Sequence, residues 1–247
     1  WHDWYIGTTA RYLGVPDGVR QLSSDFTFND INSLENLLRE DPSGFAAITL
    51  EPAGGAEPEA DFLSKVREVA NRYGAILIFD EIVTGFRLGL GGGQQFYGVT
   101  PDLCTLGKAL AGGFALAAVT GRSEIMEHFD RGRVSKEEHL MQVGTLSGNP
   151  LAMAAGIAAL EQLQSGEVYE RLEALGARLE AGLNAAAKSV GVSVVTQRIG
   201  SMGCLFFTDQ PVHNLADAMR ADRERFKKYF HGMLAEGIYF APSAFEA

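Results

Sequence analysis

The stretch "AILIFDEIVTGFR", residues 75–87, decides the architecture. An apolar run from Ala75 to Phe79 leads directly into two carboxylates, Asp80 and Glu81, and then into a turn of small residues. An unbroken apolar run bounded by a turn reads as a strand buried within a sheet. Acid at the end of such a strand is either satisfied locally or placed there for chemistry.

The flanking segments supply the rest of the pattern. Residues 59–74, "EADFLSKVREVANRYG", put Phe62, Val66, Val69 and Tyr73 on one helical face, with Gly74 as the stop. Before them, "FAAITLE" (45–51) is a second apolar run that also ends in acid, at Glu51, and "SLENLLRED" (33–41) reads as a short amphipathic helix capped by its Ser. Strand, helix, strand, with strands apolar on both faces, predicts a parallel sheet covered by helices. Ligands of such open sheets collect beyond the carboxyl ends of the strands, where Asp80 and Glu51 stand. The plainer alternative for each is a helix cap or a salt-bridged edge.

Composition excludes several classes. The chain has 247 residues, 46% of them hydrophobic and 21% charged, enough for a sizeable core. Asp and Glu number 31 against 21 Lys and Arg, a formal charge of −10, so the basic footprint expected of a nucleic-acid or anionic-membrane binder is missing. Cys104 and Cys204 show no CxxC spacing and read as two buried thiols of a reducing, cytoplasmic setting rather than a disulfide framework or a zinc site. No apolar run approaches the roughly 18 residues of a membrane span, and "WHDWYIGTTARYLG" lacks a basic segment followed by an apolar one. Both ends read as cut: the chain begins at Trp1 inside an aromatic cluster and stops at "PSAFEA" without a helix ending.

Further along, "DLCTLGKALAGG" (102–113) is an apolar run ending at a Gly-Lys pair. Neither this segment nor the glycine-rich "GLGGGQ" (89–94) fits a nucleotide loop: Lys108 lacks the spaced glycine and following Ser or Thr, and Gln94 stands where a dinucleotide fingerprint needs glycine. The apolar company of Lys108, Leu106 and Ala109 to Ala111, suggests burial, which would lower its amine pKa and make it a nucleophile. A solvated surface lysine is the alternative. In "VGTLSGNPLAMAAGIAALEQL" (143–163), Thr145, Ser147 and Asn149 precede a long Ala-rich helix, where free backbone N–H groups can cap or accept a phosphate. After it come a helix at 167–187, a strand at 192–197, "GCLFFTD" (203–209), a helix at 217–236 and "GIYFAPS" (237–243), the pattern of a smaller α+β domain. An Asp at a strand end, an apolar-flanked Lys and a Gly-Thr turn before a helix together suit pyridoxal 5'-phosphate (PLP), which needs a carboxylate at its ring nitrogen, a lysine for its aldehyde and a cradle for its phosphate.

These segments resemble a known family. "FDEIVTGFR", "PDLCTLGKALAGG" and "GTLSGNPLAMAAG" are similar, in this order, to successive signatures of the class III, fold type I PLP-dependent aminotransferases, and "RFKKYFHGMLAEGIYFAPSAFEA" is similar to the C-terminal part of the glutamate-1-semialdehyde 2,1-aminomutase branch. The resemblance implies an aspartate aminotransferase-like α/β fold with a mostly parallel sheet covered by helices. It divides the chain into a partial large PLP-binding domain, 1–160, and part of a smaller α+β C-terminal domain, 161–247. It further implies an enzyme that uses PLP and its amine form PMP, acts on a small amino or keto molecule, and works as a cytoplasmic homodimer. By this likeness Lys108 is the Schiff-base lysine, Asp80 the partner of the pyridine nitrogen and Ile82 an apolar contact on the ring. Thr145 binds the phosphate of the neighbouring subunit's cofactor, Glu246 is a carboxylate near the substrate, and Glu51 opens a turn, "EPAGG", facing the cofactor region.

Departures from the pattern bear on the substrate. "FALAAVTG" (114–121) lacks the Pro usual after the double glycine, and Met141 stands where the aminomutases usually have Tyr. The family's upstream phosphate loop and ring-stacking segment would fall before Trp1. The reaction implied is therefore either the shift of an amino group within glutamate-1-semialdehyde to give 5-aminolevulinate, for tetrapyrrole synthesis, or an intermolecular transfer like that of cell-surface polysaccharide aminotransferases, whose sequences "WHDWYIGTT" also resembles. An inactive binding or assembly domain is a third reading, against which the joint presence of Asp80, Lys108 and Thr145 argues. Residues 8–22, with Gly14, Pro16 and Gly18, read either as a lid or as a plain surface loop.

Overall fold

In the computed structural model, residues 3–246 are described; Trp1 and Ala247, which bound the chain in the fragment reading, lie outside them. A four-stranded sheet in the order β1 (Ala47–Leu50), β2 (Ile76–Glu81), β3 (Leu103–Leu106) and β4 (Ala118–Gly121) carries the first half of the chain. β1, β2 and β3 run parallel and β4 closes the edge antiparallel to β3. A separate antiparallel pair, β5 (Val195–Ile199) and β6 (Met202–Phe206), belongs to the second half.

One face of the large sheet is sealed. Alternation along the strands points Ile48, Leu50, Leu77 and Phe79 the same way, into a core completed by α1 (Ile31–Glu40) and α2 (Phe62–Tyr73). Phe62, Val66 and Val69 of α2 are buried there, and Gly74 ends the helix in the left-handed conformation that costs glycine least. The opposite face is not sealed in the same way: Ile76, Ile78 and Asp80 are half-buried and Thr49 is exposed. The apolar runs thus overstate the helical cover, because a strand's composition cannot tell which of its faces a helix reaches.

Two local expectations are corrected. α1 begins at Ile31 rather than Ser33, because the Asp30 carboxylate accepts from the Asn32 and Ser33 amides and is the cap. Ser33 instead donates to the Asp30 carbonyl at 2.7 Å. The helix expected over 217–236 is two helices, Leu215–Met219 and Arg223–Ala235, because Asn214 and Asp222 each cap a new start. Residues 8–22 are mostly turns around one helical turn, Asp17–Arg20, and Arg20 lies 3.7 Å over the Tyr12 ring while donating to the Gly7 carbonyl.

α3 (Pro150–Leu163) follows the "GTLSGN" turn and starts where the Asn149 side chain accepts from the Ala152 amide at 3.0 Å. Its small residues let it lie close to the turn Lys108–Ala111: Ala152 and Gly156 are buried, and a Cβ on Gly156 would sit 2.9 Å from Leu116. α4 (Glu167–Ser189) then packs along the small sheet, where Arg198 of β5 is gripped by Glu173 and Glu180. A second apolar cluster, Cys204, Phe206, Val212, Ala218 and Ala221, forms beneath that sheet. No described helix is long and apolar enough to cross a membrane.

Candidate active site

The paired acids of the opening stretch are separated by the pleat of β2. Glu81 points to the sealed side and is fully buried. Its carboxylate accepts from the Thr84 hydroxyl at 3.0 Å, from the Gln94 amide at 3.1 Å, from the Gln94 side chain at 3.2 Å and, more closely still, from the Gly93 amide. The glycine-rich stretch therefore wraps a carboxylate: a Cβ on Gly92 would lie 2.3 Å from Glu81 Oε2, and one on Gly93 2.7 Å from Pro52. Glycine is required here by close approach, not for a phosphate.

Asp80 points to the other face, half-buried. Its Oδ1 accepts from the Ile82 amide at 3.0 Å and from the Thr105 hydroxyl at 3.1 Å. Thr105 is its register partner on β3, and continuing the β1–β2 register one residue past Leu50 and Phe79 brings Glu51 alongside Asp80 on the other flank. Glu51, Asp80 and Thr105 thus form a row across the carboxyl edge of the parallel strands, on one face. Asp80 Oδ2 and the Glu51 carboxylate accept no hydrogen bond among the described residues.

Lys108 completes the group. It follows β3 after Gly107, and Ile82 packs against that glycine, where a Cβ would stand 3.0 Å from Ile82 Cδ1. The expected burial of Lys108 does not occur: Gly107, Leu110 and Ala111 are buried, but the lysine is exposed and has no ion-pair partner among the described residues. Its backbone is left-handed, with φ 43°. Electrostatics tie the group together. Burial raises the Glu51 pKa, the negative charge of Asp80 raises it further, and Lys108 draws it back down.

Sequence reasoning missed two residues. Thr105 orients Asp80, and its signal was a lone hydroxyl in an otherwise apolar run three residues before the lysine. Tyr5, whose pKa is raised by burial and then by the charges of Glu51, Asp25 and Asp80, is near enough to feel the group and was not singled out. Thr145 and Glu246 are not joined to this group by any described contact. Thr145 lies in the exposed turn before α3, and Glu246 is exposed, although the Phe245 carbonyl beside it comes up against Gly55 of the "EPAGG" turn. Both thiols are buried and unbridged, and burial pushes Cys104 up to about 12 and Cys204 to about 11.

An open sheet carrying an Asp and a Lys at neighbouring strand ends is the architecture of the fold type I PLP-dependent transferases, and solved members superpose on it. An omega-transaminase from Sphaerobacter thermophilus matches with a TM-score of 0.87 at 31% identity, over 97% of this chain and 55% of that one. A glutamate-1-semialdehyde aminomutase variant from Pseudomonas aeruginosa, in complex with PMP, matches with a TM-score of 0.79 at 27% identity, over 93% and 53%. The chain belongs to the class-III aminotransferase family, whose profile matches residues 12–245. The glutamate-1-semialdehyde 2,1-aminomutase of Akkermansia muciniphila is 46% identical over 94% of this chain and 54% of its own length, and that of Chlorobium luteolum 44% identical over 98% and 57%. The chain spans about half the length of the curated relatives it matches.

Proposed function

We propose that the protein carrying this chain is a PLP-dependent aminomutase that converts glutamate-1-semialdehyde to 5-aminolevulinate. The observation that carries the reading is the contrast among strand-end acids: Glu81 is saturated with hydrogen bonds, whereas Asp80 Oδ2, Glu51 and Lys108 are left without hydrogen-bond partners on the open face. That set fits PLP, since Asp80 can hold the protonated ring nitrogen, Lys108 the aldehyde carbon, and Ile82 the ring face. Bound PLP supplies an electron sink and a carbon that takes up and releases an amino group. Thr105 and the Ile82 amide fix one Asp80 oxygen so that the other stays aimed outward. By the family likeness Lys108 Nζ would carry a proton from the substrate carbon to the cofactor carbon. By the same likeness Glu51 would face the cofactor region and Glu246 would be a carboxylate near the substrate.

The same reading makes the chain part of a cytoplasmic homodimer, with Thr145 serving the partner's phosphate site, and divides it at about residue 160. Support for the dimer is the exposed apolar surface around that turn, Leu146, Leu151 and Ile157. Support for the division is the pair of separate apolar clusters.

Reduction with borohydride after PLP loading should fix the label on Lys108; a label on Lys65 or Lys136 sinks the assignment. Loaded with PMP, the intact protein should convert glutamate-1-semialdehyde without an added amino donor. A specific observation favours the intermolecular alternative: Met141 and "FALAAVTG" depart from the aminomutase pattern, and the omega-transaminase superposes with the higher TM-score of the two structures. Turnover that depends on glutamate and 2-oxoglutarate would establish that alternative instead.

A further inference from the structure

Phe86, in the turn after β2, holds a left-handed backbone with φ 58°, a conformation that costs a bulky residue about 1–3 kcal/mol and persists only where its surroundings impose it. The loop borders a cleft of about 400 Å³ lined by Glu81, Phe86, Leu90, Gln95, Thr100 and Leu106 among others. The turn's own bond, from the Arg87 amide to the Thr84 carbonyl at 3.1 Å, holds Phe86 from within, and the phenol of Tyr169, in the first turn of α4, adds a tie from outside, donating to the Phe86 carbonyl at 3.0 Å across 83 residues of sequence. Burial raises the Tyr169 pKa above its ordinary value. Gly200, just after β5, lies against Leu88 of the same loop.

The loop between Phe86 and Asp80 is stiff enough to transmit this restraint. The Gly85 amide donates to the Glu81 carbonyl, the Leu88 amide to Thr84, and the fully buried Thr84 to the Glu81 carboxylate. Gly85 has no room to relax, since a Cβ there would lie 2.6 Å from both the Glu81 carbonyl and Leu106. At the near end, the Ile82 amide holds Asp80 and the Ile82 side chain meets Gly107, next to Lys108.

We propose that Tyr169 is a positioning residue of the PLP site: its phenol sets the loop 82–88 and thereby the seating of Ile82 and Asp80 against Gly107 and Lys108. The proposal rests on the PLP reading above. It makes the placement of the smaller lobe felt at the ring contact, through one hydrogen bond.

The test compares Tyr169→Phe, which keeps the ring and removes the hydroxyl, with Glu173→Gln, which weakens only the outward tie of α4 to Arg198, both in the intact protein. Amide exchange at Gly85, Arg87 and Leu88 is measured without PLP, and the dissociation constant for PLP is measured separately. Tyr169→Phe should speed exchange at these amides and raise the PLP dissociation constant about fivefold, the equivalent of one hydrogen bond, while Glu173→Gln changes neither. Unchanged exchange in Tyr169→Phe overturns the proposal. So does faster exchange with unchanged PLP affinity, or an equal loss in Glu173→Gln. A parent protein that takes up no PLP refutes the underlying reading, a result distinct from any behaviour of the variants.

Discussion

Glu51 and Asp102 show opposite ways for a carboxylate to sit at a sheet edge. Burial alone would raise the Asp102 pKa, but the Leu77 amide at 2.8 Å and the guanidinium groups of Arg67 and Arg122 more than offset it and hold the group below its usual range. Glu51 has no such donors, so burial and the charge of Asp80 raise its pKa. The consequence for stability has a definite sign. A carboxyl whose folded pKa is raised favours the folded state below the unfolded pKa, near 4.5, and loses that contribution as pH rises through the folded value. Glu51→Gln should therefore match the parent near pH 4 and be the more stable of the two at pH 8, as read by urea unfolding at each pH. Equal midpoints at pH 8 would show that the buried charge costs nothing. The same unsupported carboxylate is what makes Glu51 suited to a ligand rather than to the scaffold.

The turn between β2 and the glycine-rich stretch shows how an element can be built around one side chain. Glu81 gathers the Gly93 and Gln94 amides at the start of the short helix Gly92–Tyr97, and the glycines leave room for it. Removing the carboxylate orphans buried N–H groups, each worth about 1–3 kcal/mol, so Glu81→Ala should cost about 3 kcal/mol or more in chemical denaturation. Asp222→Ala, which removes only an exposed cap from the last helix, should cost about 1 kcal/mol. Similar losses in the two variants would argue against Glu81 as the organising residue of this turn. β2 itself was legible from its apolar run. That its two terminal acids serve different masters was not, since the side a residue faces depends on where the helices pack.

α3 is small-faced toward the Lys108 turn and apolar toward solvent, with Leu151 and Ile157 strongly exposed. That exposed apolar face is the one the proposed dimer would bury. The intact protein should sediment as a dimer at micromolar concentration, and Leu151→Asp with Ile157→Asp should shift it toward monomer with loss of PLP affinity. A parent that remains monomeric while fully active would refute the dimer. Thr145 and Glu246 are not drawn to Asp80 by contacts within the described chain.

Local chemistry was enough to mark the strand ends, the stop at Gly74 and the cap-rich turn before α3, because each is set by residues close together in sequence: a turn by its glycine, a cap by its amide, a buried strand by its apolar run. The long-range choices were made only by packing. Register across β1, β2 and β3 lined up Glu51, Asp80 and Thr105; the pleat sent Glu81 to the core and Asp80 to the open face; and the fold left exposed a lysine, Lys108, whose neighbours suggested burial. Each of these depends on which distant element lies against a given face, and that information resides in the summed contacts of the folded chain rather than in any one of its segments.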